Sequence, residues 1–147
     1  VVGRRRAGFT LLELNLVVTI VGLLTVLAAP AYVVYLRRAQ AAEALTNLET
    51  MSYLQQVHIL EAGRAVACEP VPAAVPRGTR VAFEPTPSWS DLGVHMESRV
   101  RFQYSVETPS ARAYVIRARG DLDGDGVESL YTLDSQTMQL SIGSAGE

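Results

Sequence analysis

The sequence predicts an α+β fold, with one long N-terminal α-helix packed on a small antiparallel β-sheet of three to four strands. Three observations predict this fold. Residues 7–36 form an apolar run with a single charge, Glu13. Helix-favouring residues continue from Arg37 to Ala62, so the helix has a transmembrane half and an amphipathic half. Alternating apolar and polar residues then begin at Val100, the pattern of half-buried strands.

The apolar run is long enough to cross a membrane. Its roughly 30 residues would form a helix of about 45 Å, against about 30 Å for the hydrocarbon core of a bilayer. A carboxylate such as Glu13 costs about 2.5 to 3.5 kcal/mol at the bilayer centre and less near the interface. The run contains no opposite charge, so Glu13 requires a partner from elsewhere. Arginines flank the run on both sides: Arg4, Arg5 and Arg6 before it, Arg37 and Arg38 after it.

A short motif follows the first arginines. Residues 8–14 read Gly-Phe-Thr-Leu-Leu-Glu-Leu, with Gly8, Phe9 and Glu13 at its defining positions. The motif resembles the type IV prepilin signature, in which a basic leader ends at a glycine and F-T-L-x-E opens a hydrophobic helix. The resemblance extends from about Arg4 to Ala44. The alternative is an uncleaved signal anchor; a secretory signal peptide fits less well, because the cut would precede the apolar stretch.

The resemblance implies a division of the chain and a processing step. Residues 1–8 would be the leader, 9–36 the transmembrane and polymerisation helix, and 37–147 the globular head with the second half of the helix. A prepilin peptidase would cut between Gly8 and Phe9 and methylate the new amine of Phe9, which keeps its charge. In filaments of this family, the amine of an incoming subunit meets the carboxylate of a neighbour, here Glu13.

The resemblance also implies function, partners and location. The chain would be a structural subunit of a type IV pilus, first held in the bacterial inner membrane with its head outside the cytoplasm and then assembled into a surface pilus. Its partners would be copies of itself or related pilins, the prepilin peptidase, an inner-membrane platform and a motor ATPase. Two alternatives stay open: a type II secretion pseudopilin, and a monomeric membrane-anchored binding module. Adhesion, motility and DNA uptake are not distinguished.

Charge and cysteine content narrow the class further. The formal net charge is −2, and removal of Val1–Gly8 would leave ten basic side chains against 15 acidic ones. This balance gives no indication of nucleic-acid binding. The positive leader predicts a cytoplasmic N-terminus, although Arg37 and Arg38, on the other side of the apolar run, weaken this prediction.

Cys68 is the only cysteine, so no internal disulfide can form. Burial of its side chain is favoured over pairing between chains.

The second half of the helix has a clear end and an ambiguous face. Gly63 is a typical C-terminal stop. Apolar residues recur at every third position. Because an α-helix has 3.6 residues per turn, residues at this spacing do not stay on one face but move gradually around the helix. The helix therefore presents either two packing surfaces or one loosely amphipathic face. Pro30 predicts a kink, and the resemblance implies unwinding between Gly22 and Pro30 on assembly. The recurring residues are Leu45, Leu48, Met51, Leu54, Val57 and Leu60.

The rest of the chain predicts a loop region followed by a meander of strands. Prolines make a long helix implausible between Gly63 and Asp91, where Arg80–Phe83 is predicted as a short edge strand and Trp89 as a cap on the sheet edge. Short turns between the later strands predict antiparallel pairing against the helix. The predicted strands are Val100–Val106, Ala113–Ala118, Leu130–Leu133 and Met138–Ile142.

One acidic loop has the composition of a metal site. Asp121, Asp123, Asp125 and Glu128 lie within eight residues and alternate with glycines, as at the opening of a calcium loop. The twelfth position carries Thr132 instead of the glutamate of an EF-hand, and strands are predicted on both sides, so an EF-hand is rejected. A pilin-type or pseudopilin-type loop holding one Ca²⁺ with these four ligands is one interpretation. The other is a solvated turn.

No catalytic pattern is present in the sequence. His58 lies in the predicted helix and His95 in a loop, and neither belongs to a serine, cysteine or zinc hydrolase motif. Gly124 and Gly126 stand among acids that would repel phosphate. We therefore expect a protein that is not an enzyme, with Ca²⁺ as the only candidate cofactor.

Overall fold

The computed structural model describes residues 8–96 and 99–144 and has the predicted α+β fold. The predicted leader lies outside the described residues except for Gly8, as do residues 145–147 of the predicted head. The elements are α1 (Leu11–Ala62), β1 (Cys68–Val71), β2 (Val81–Ala82), α2 (Pro87–Asp91), β3 (Arg99–Val100), β4 (Gln103–Ser110), β5 (Ala113–Gly120), β6 (Ser129–Asp134) and β7 (Leu140–Ser144).

Helix α1 runs through Pro30 without a break and belongs to both of the compact units into which the chain divides. The boundary in sequence falls between Leu36 and Arg37. In the first unit, every described residue is exposed. In the second unit, α1 supplies one face of the hydrophobic core.

The main sheet has five antiparallel strands in the order β1-β4-β5-β6-β7, one more than the three to four predicted. The additional strand is β1, which comes from the proline-rich segment predicted to be loop. Pro70 is compatible with a strand there because β1 lies at the edge of the sheet and pairs with β4 alone. Strands β4 to β7 form the predicted meander.

Three strand boundaries differ from the prediction. The strand predicted at Arg80–Phe83 is shorter and pairs with β3 in a separate two-stranded sheet. The strand predicted from Val100 to Val106 is divided, because β3 ends at Val100 and β4 begins at Gln103. The last strand begins at Leu140 instead of Met138, because Met138 closes a turn. Its backbone N–H donates to the carbonyl oxygen of Asp134 at 2.9 Å, and its φ is 49°.

The buried face of α1 follows the helical period and includes polar side chains. Leu48 and Met51 are fully buried, whereas Leu60, three turns further on, is 86% exposed. Within one chain, α1 therefore presents a single buried face to the sheet, and both interpretations of the recurring apolar residues stay open. Its polar members have partners: the hydroxyl groups of Ser52 and Tyr114 lie 2.9 Å apart, and the Gln55 amide exchanges two hydrogen bonds with the backbone of Val66. The face consists of Ala44, Leu48, Met51, Ser52 and Gln55.

Trp89 closes the core beside edge strand β1. Its indole is fully buried, its Nε1–H donates to the carbonyl oxygen of Glu69 in β1 at 2.9 Å, and its ring packs edge-to-face on Phe83 with centroids 5.5 Å apart. The structure thus places Trp89 at the sheet edge as a core residue. Cys68 in the same strand is a buried free thiol, and its burial raises its pKa to about 12. Hence Cys68 is an unreactive core residue.

Gly120 at the end of β5 has no room for a side chain. A Cβ at this position would lie 2.5 Å from Cδ1 of Phe102, which is fully buried against Tyr131. We expect Gly120→Ala to lower the free energy of unfolding by about 1 to 3 kcal/mol, the usual cost of overpacking. Gly143→Ala is the control, because its Cβ would meet only the flexible Leu130 side chain at 3.4 Å. Urea unfolding in detergent, followed by Trp89 fluorescence, measures both; equal stabilities would contradict the packing argument.

Candidate functional site

The first candidate site is the start of α1. Thr10 caps the helix: its carbonyl oxygen accepts from Leu14 N–H at 3.1 Å, and its hydroxyl oxygen accepts from Glu13 N–H at 3.2 Å. Glu13 is thus the third helical residue, and Thr10-x-x-Glu13 has the sequence of a capping box. A carboxylate at this position also interacts favourably with the positive end of the helix dipole. Sequence reasoning missed this local role, although the T-x-x-E spacing signals it.

The candidate processing residues are accessible in the structure. Gly8 and Phe9 precede the helix, and the Phe9 side chain is 71% exposed. Glu13 makes no ion pair with another residue in ranges 8–96 and 99–144. The flanking arginines Arg4–Arg6 lie outside the described residues. Within the part that is described, the Glu13 carboxylate is therefore available to a partner from another molecule.

The apolar part of α1 has the length and composition of a membrane-spanning helix. Its most apolar stretch contains no buried residue. The hydroxyl groups of Thr19 and Thr25 each donate at 2.8 Å to a backbone carbonyl four residues earlier, those of Asn15 and Val21. These hydroxyl groups need no water, so the segment is compatible with an apolar environment.

The second candidate site is the loop between β5 and β6, which is organised around the buried carboxylate of Asp121. Its Oδ1 accepts from Gly124 N–H at 2.6 Å and its Oδ2 from Gly126 N–H at 3.0 Å. Both glycines have positive φ, 80° and 92°, a conformation that other residues rarely adopt. The backbone of Asp121 is also tied to a neighbouring loop, since its N–H donates to Pro76 and its carbonyl accepts from Gly78.

Three of the four predicted calcium ligands converge in this loop. One carboxylate oxygen from each of Asp121, Asp123 and Asp125 lies within 4.8 Å of the others. Oxygen atoms at this spacing suit a hard cation such as Ca²⁺. The fourth predicted ligand, Glu128, instead accepts from Arg119 at 2.6 Å. A guanidinium group from α1 already provides positive charge here, because Arg37 lies 3.1 Å from Oδ2 of Asp123.

The two histidines do not form a catalytic site. Nδ1 of His58 lies 2.9 Å from the carbonyl oxygen of Arg64 near the end of α1. His95 lines an open surface pocket with Glu43, Arg80 and Arg99, among which Glu43 and Arg80 form an ion pair. Neither histidine is hydrogen-bonded to a serine, cysteine or carboxylate side chain in the described ranges.

Comparison with known proteins identifies the class to which the N-terminal segment belongs. Residues 3–29 match the family model for the prokaryotic N-terminal methylation motif. The chain is similar to the type IV major pilin protein PilA of Myxococcus xanthus, with 32% identity over 61% of this chain and 41% of that protein. It is also similar to the type IV major fimbrial protein FimA of Dichelobacter nodosus, with 33% identity over 72% of this chain and 59% of that protein.

Identity to another relative is higher over a shorter stretch. A fimbrial protein of Moraxella nonliquefaciens is 54% identical over 39 residues, about a quarter of each chain. The chain thus matches the N-terminal methylation motif at residues 3–29 and is similar to type IV pilins and fimbrial proteins. The names of these relatives are those of pilins and fimbrial proteins, not enzymes. The chain spans less than two thirds of the length of each of these relatives. No solved structure matches it.

The Asp121 carboxylate should stabilise the loop even without a metal. Asp121→Asn keeps the size of the side chain but replaces an acceptor with an NH₂ group that faces a backbone N–H. Since the site is buried, we expect a loss of about 1 to 3 kcal/mol in the free energy of unfolding, measured by urea titration in EDTA. Asp125→Asn, at an exposed position, should change it by less than about 0.5 kcal/mol. Equal effects of the two substitutions would contradict the structural role of Asp121.

Proposed function

We propose that this chain is a structural subunit of a type IV pilus, anchored in the bacterial inner membrane by residues 9–36 before it assembles. One observation carries the proposal. The methylation motif covers the start of α1, where the apolar side chains up to Leu36 are exposed and the single carboxylate of that segment, Glu13, has no ion-pair partner among the described residues. An apolar surface of this size is unfavourable in contact with water, so it requires lipid or other helices to cover it.

Processing would create the missing partner for Glu13. Cleavage between Gly8 and Phe9 leaves an amine at Phe9, and methylation keeps its positive charge. When the helix of an incoming subunit packs beside that of its neighbour, the Phe9 amine meets the Glu13 carboxylate. Pairing in an apolar environment offsets part of the desolvation cost of both charges. The pair therefore selects the register in which helices pack, more than it adds to stability.

The proposal implies a set of partners and a route. Other copies of the chain or related pilins would form the filament, and a prepilin peptidase would process the precursor. An inner-membrane platform and a motor ATPase would drive assembly. The head would face away from the cytoplasm in the membrane and would line the outer surface of the pilus.

A second candidate, a pseudopilin of type II secretion, is favoured by the aspartate loop. The two functions differ in where the filament ends: a pilus extends from the cell surface, and a pseudopilus stays in the periplasm. A third candidate is a monomeric binding module using Trp89 and the aspartate loop. Its use of Trp89 is disfavoured because the indole is fully buried and its N–H already has a partner.

We also propose that the loop containing Asp121, Asp123 and Asp125 binds one Ca²⁺. Three carboxylate oxygens within 4.8 Å support this proposal, because their mutual repulsion would be relieved by a divalent cation. Glu128 would have to leave Arg119 to become a fourth ligand. Backbone carbonyls and water would otherwise complete the coordination.

Loss of the Glu13 charge should block assembly without blocking processing. Glu13→Gln preserves the size and hydrogen-bonding capacity of the capping-box residue but removes its charge, whereas Glu13→Val removes both. We expect each variant, expressed as the sole subunit, to reduce sheared surface filaments at least tenfold. Electron microscopy measures the filaments, and mass spectrometry of the mature N-terminus measures the Gly8–Phe9 cut. Glu13→Asp is the charge-preserving control and should assemble better than Glu13→Gln. Normal filaments from Glu13→Gln would contradict the pairing role.

Calcium should stabilise the head. Ligand that binds only the folded state raises the unfolding free energy by mass action, so 1 mM Ca²⁺ should add about 1 to 3 kcal/mol relative to EDTA if the site is largely saturated. Asp123→Asn should abolish this difference, and Asp91→Asn, a carboxylate outside the loop, should retain it. Magnesium should substitute poorly, because it requires tighter octahedral geometry. Identical unfolding in calcium and in EDTA would show that the loop is a turn without a metal.

A further inference from the structure

Charged and amide side chains of α1 lie near the two ends of its apolar segment. Glu13 and Asn15 lie close to the start of α1, and Tyr35 is followed by Arg37 and Arg38. The interval between Asn15 and Tyr35, residues 16–34, carries no charged side chain. Its roughly 19 residues give a helical length of about 29 Å, close to the hydrocarbon thickness of a bilayer.

We propose that the hydrocarbon core of the membrane extends from Leu16 to Val34, and that Arg38 binds a lipid phosphate in the outer leaflet. In this register Glu13 lies at the level of the cytoplasmic headgroups. The proposal rests on the membrane anchoring in the proposed function and adds the depth of each residue and a lipid-binding residue.

The interior of this interval is suited to hydrocarbon. Its apolar side chains are exposed along the whole length, for example Leu24 at 59% and Leu27 at 68%. The hydroxyl groups of its two threonines, Thr19 and Thr25, donate hydrogen bonds to backbone carbonyl oxygens of the same helix.

The outer boundary has the composition of a lipid interface. Tyr32 and Tyr35 are three residues apart and therefore adjacent on the helix surface, at 64% and 69% exposure. Tyrosine is enriched at this level of a membrane because its ring is apolar and its hydroxyl group is polar. Arg38 is likewise three residues beyond Tyr35, so it extends from the same part of the helix into the headgroup layer.

The two arginines at this boundary are not equivalent. Arg37 is paired with Asp123 at 3.1 Å, which cancels its charge locally. Arg38 is exposed and makes no ion pair with any residue in ranges 8–96 and 99–144. A guanidinium group binds phosphate through two parallel hydrogen bonds, so Arg38 is the side chain available to a lipid headgroup. The pairing of Arg37 also leaves one uncompensated positive charge, not two, on the outer side.

This position in the membrane determines the step at which the charge of Glu13 becomes costly. Glu13 lies three residues before Leu16, about 4.5 Å outside the hydrocarbon. There the carboxylate is hydrated and costs little, since the penalty is large only toward the bilayer centre. The cost arises when the subunit leaves the membrane and Glu13 enters a layer of packed helices. Neutralisation by the amine of Phe9 is therefore required at assembly, not at insertion.

Depth-dependent quenching tests the register on the full chain in phosphatidylcholine vesicles. A fluorophore is attached to the new cysteine of Leu12→Cys, Thr25→Cys or Tyr35→Cys. The unsubstituted chain, treated in the same way, is the control for labelling of the native Cys68. Lipids with a quencher in the headgroup should quench the fluorophore at positions 12 and 35 at least threefold more than at position 25. Lipids with a quencher at the end of the acyl chain should reverse that order. Deep quenching at position 12 with none at position 35 would overturn the register, because the hydrocarbon would then begin near Phe9.

The lipid contact of Arg38 has its own measurement. Energy transfer from a label at position 35 to labelled phosphatidylglycerol, relative to labelled phosphatidylcholine, should show about a threefold to fivefold preference for the anionic lipid. Arg38→Gln should remove most of that preference, and Arg112→Gln, an exposed arginine in the head, should retain it. An unchanged preference in Arg38→Gln would overturn the assignment.

Failure of this inference is distinguishable from failure of the proposed function. A chain that resists alkaline extraction from vesicles but shows the wrong depth profile contradicts only the register. A chain that alkali removes from vesicles contradicts both the register and the membrane anchoring. Processing at Gly8 and filament formation are measured independently of either result.

Discussion

The exposed apolar surface of residues 11–36 is the constraint on which the rest of this protein depends. Its side chains are too many and too apolar to face water, and none is buried within the chain. Lipid can cover the surface before assembly, and neighbouring helices can cover it in a filament. Both environments are apolar, so transfer between them need not expose the helix to water. Under the proposed function and membrane register, the two environments differ in the state of the Glu13 charge, which would be hydrated in the headgroup layer in one case and neutralised by an amine in the other.

The second half of α1 is under a different constraint. Under the proposed function, the same helix continues from a membrane anchor and also forms part of the folded core of the head. The buried face of α1 begins at Ala44. Between the unit boundary and that residue, the helix is connected to the sheet by ion pairs and hydrogen bonds. Arg37 contacts the aspartate loop, and the Glu43 carboxylate accepts from the backbone N–H of Arg101 at 2.8 Å. Polar contacts suit this segment, since an apolar face extending without interruption from the anchor would specify poorly where the head begins.

The sequence predicted the elements whose periodicity is strong and local. The long helix, the alternating residues of β4 and the meander to β7 follow from spacing alone. The additional strand β1 could not be predicted in this way, because five prolines between residues 70 and 87 indicate loop and only tertiary pairing makes Cys68–Val71 a strand. For the same reason, Trp89 could be placed at the sheet edge, but its complete burial depends on α2 and β1 meeting there. In the aspartate loop, three of the four carboxylates predicted from the sequence come together. The fourth, Glu128, pairs with Arg119 instead, and that pairing depends on the β5–β6 register.

Glu13 illustrates how one residue can satisfy a local rule and a functional one together. As the third residue of α1, it lies where a carboxylate favours helix initiation, and Thr10 supplies the matching cap. Glutamine would serve the hydrogen bonds of a capping box as well and has no charge to desolvate, losing only the interaction with the helix dipole. Retaining a carboxylate beside an apolar segment is reasonable when a cation arrives at the same end of a neighbouring helix. The N-terminal amine that the proposed processing would create is such a cation, and it could reach a carboxylate only near the start of the helix. Thus the position that stabilises the helix end is also the position from which a neighbour's amine can be recognised.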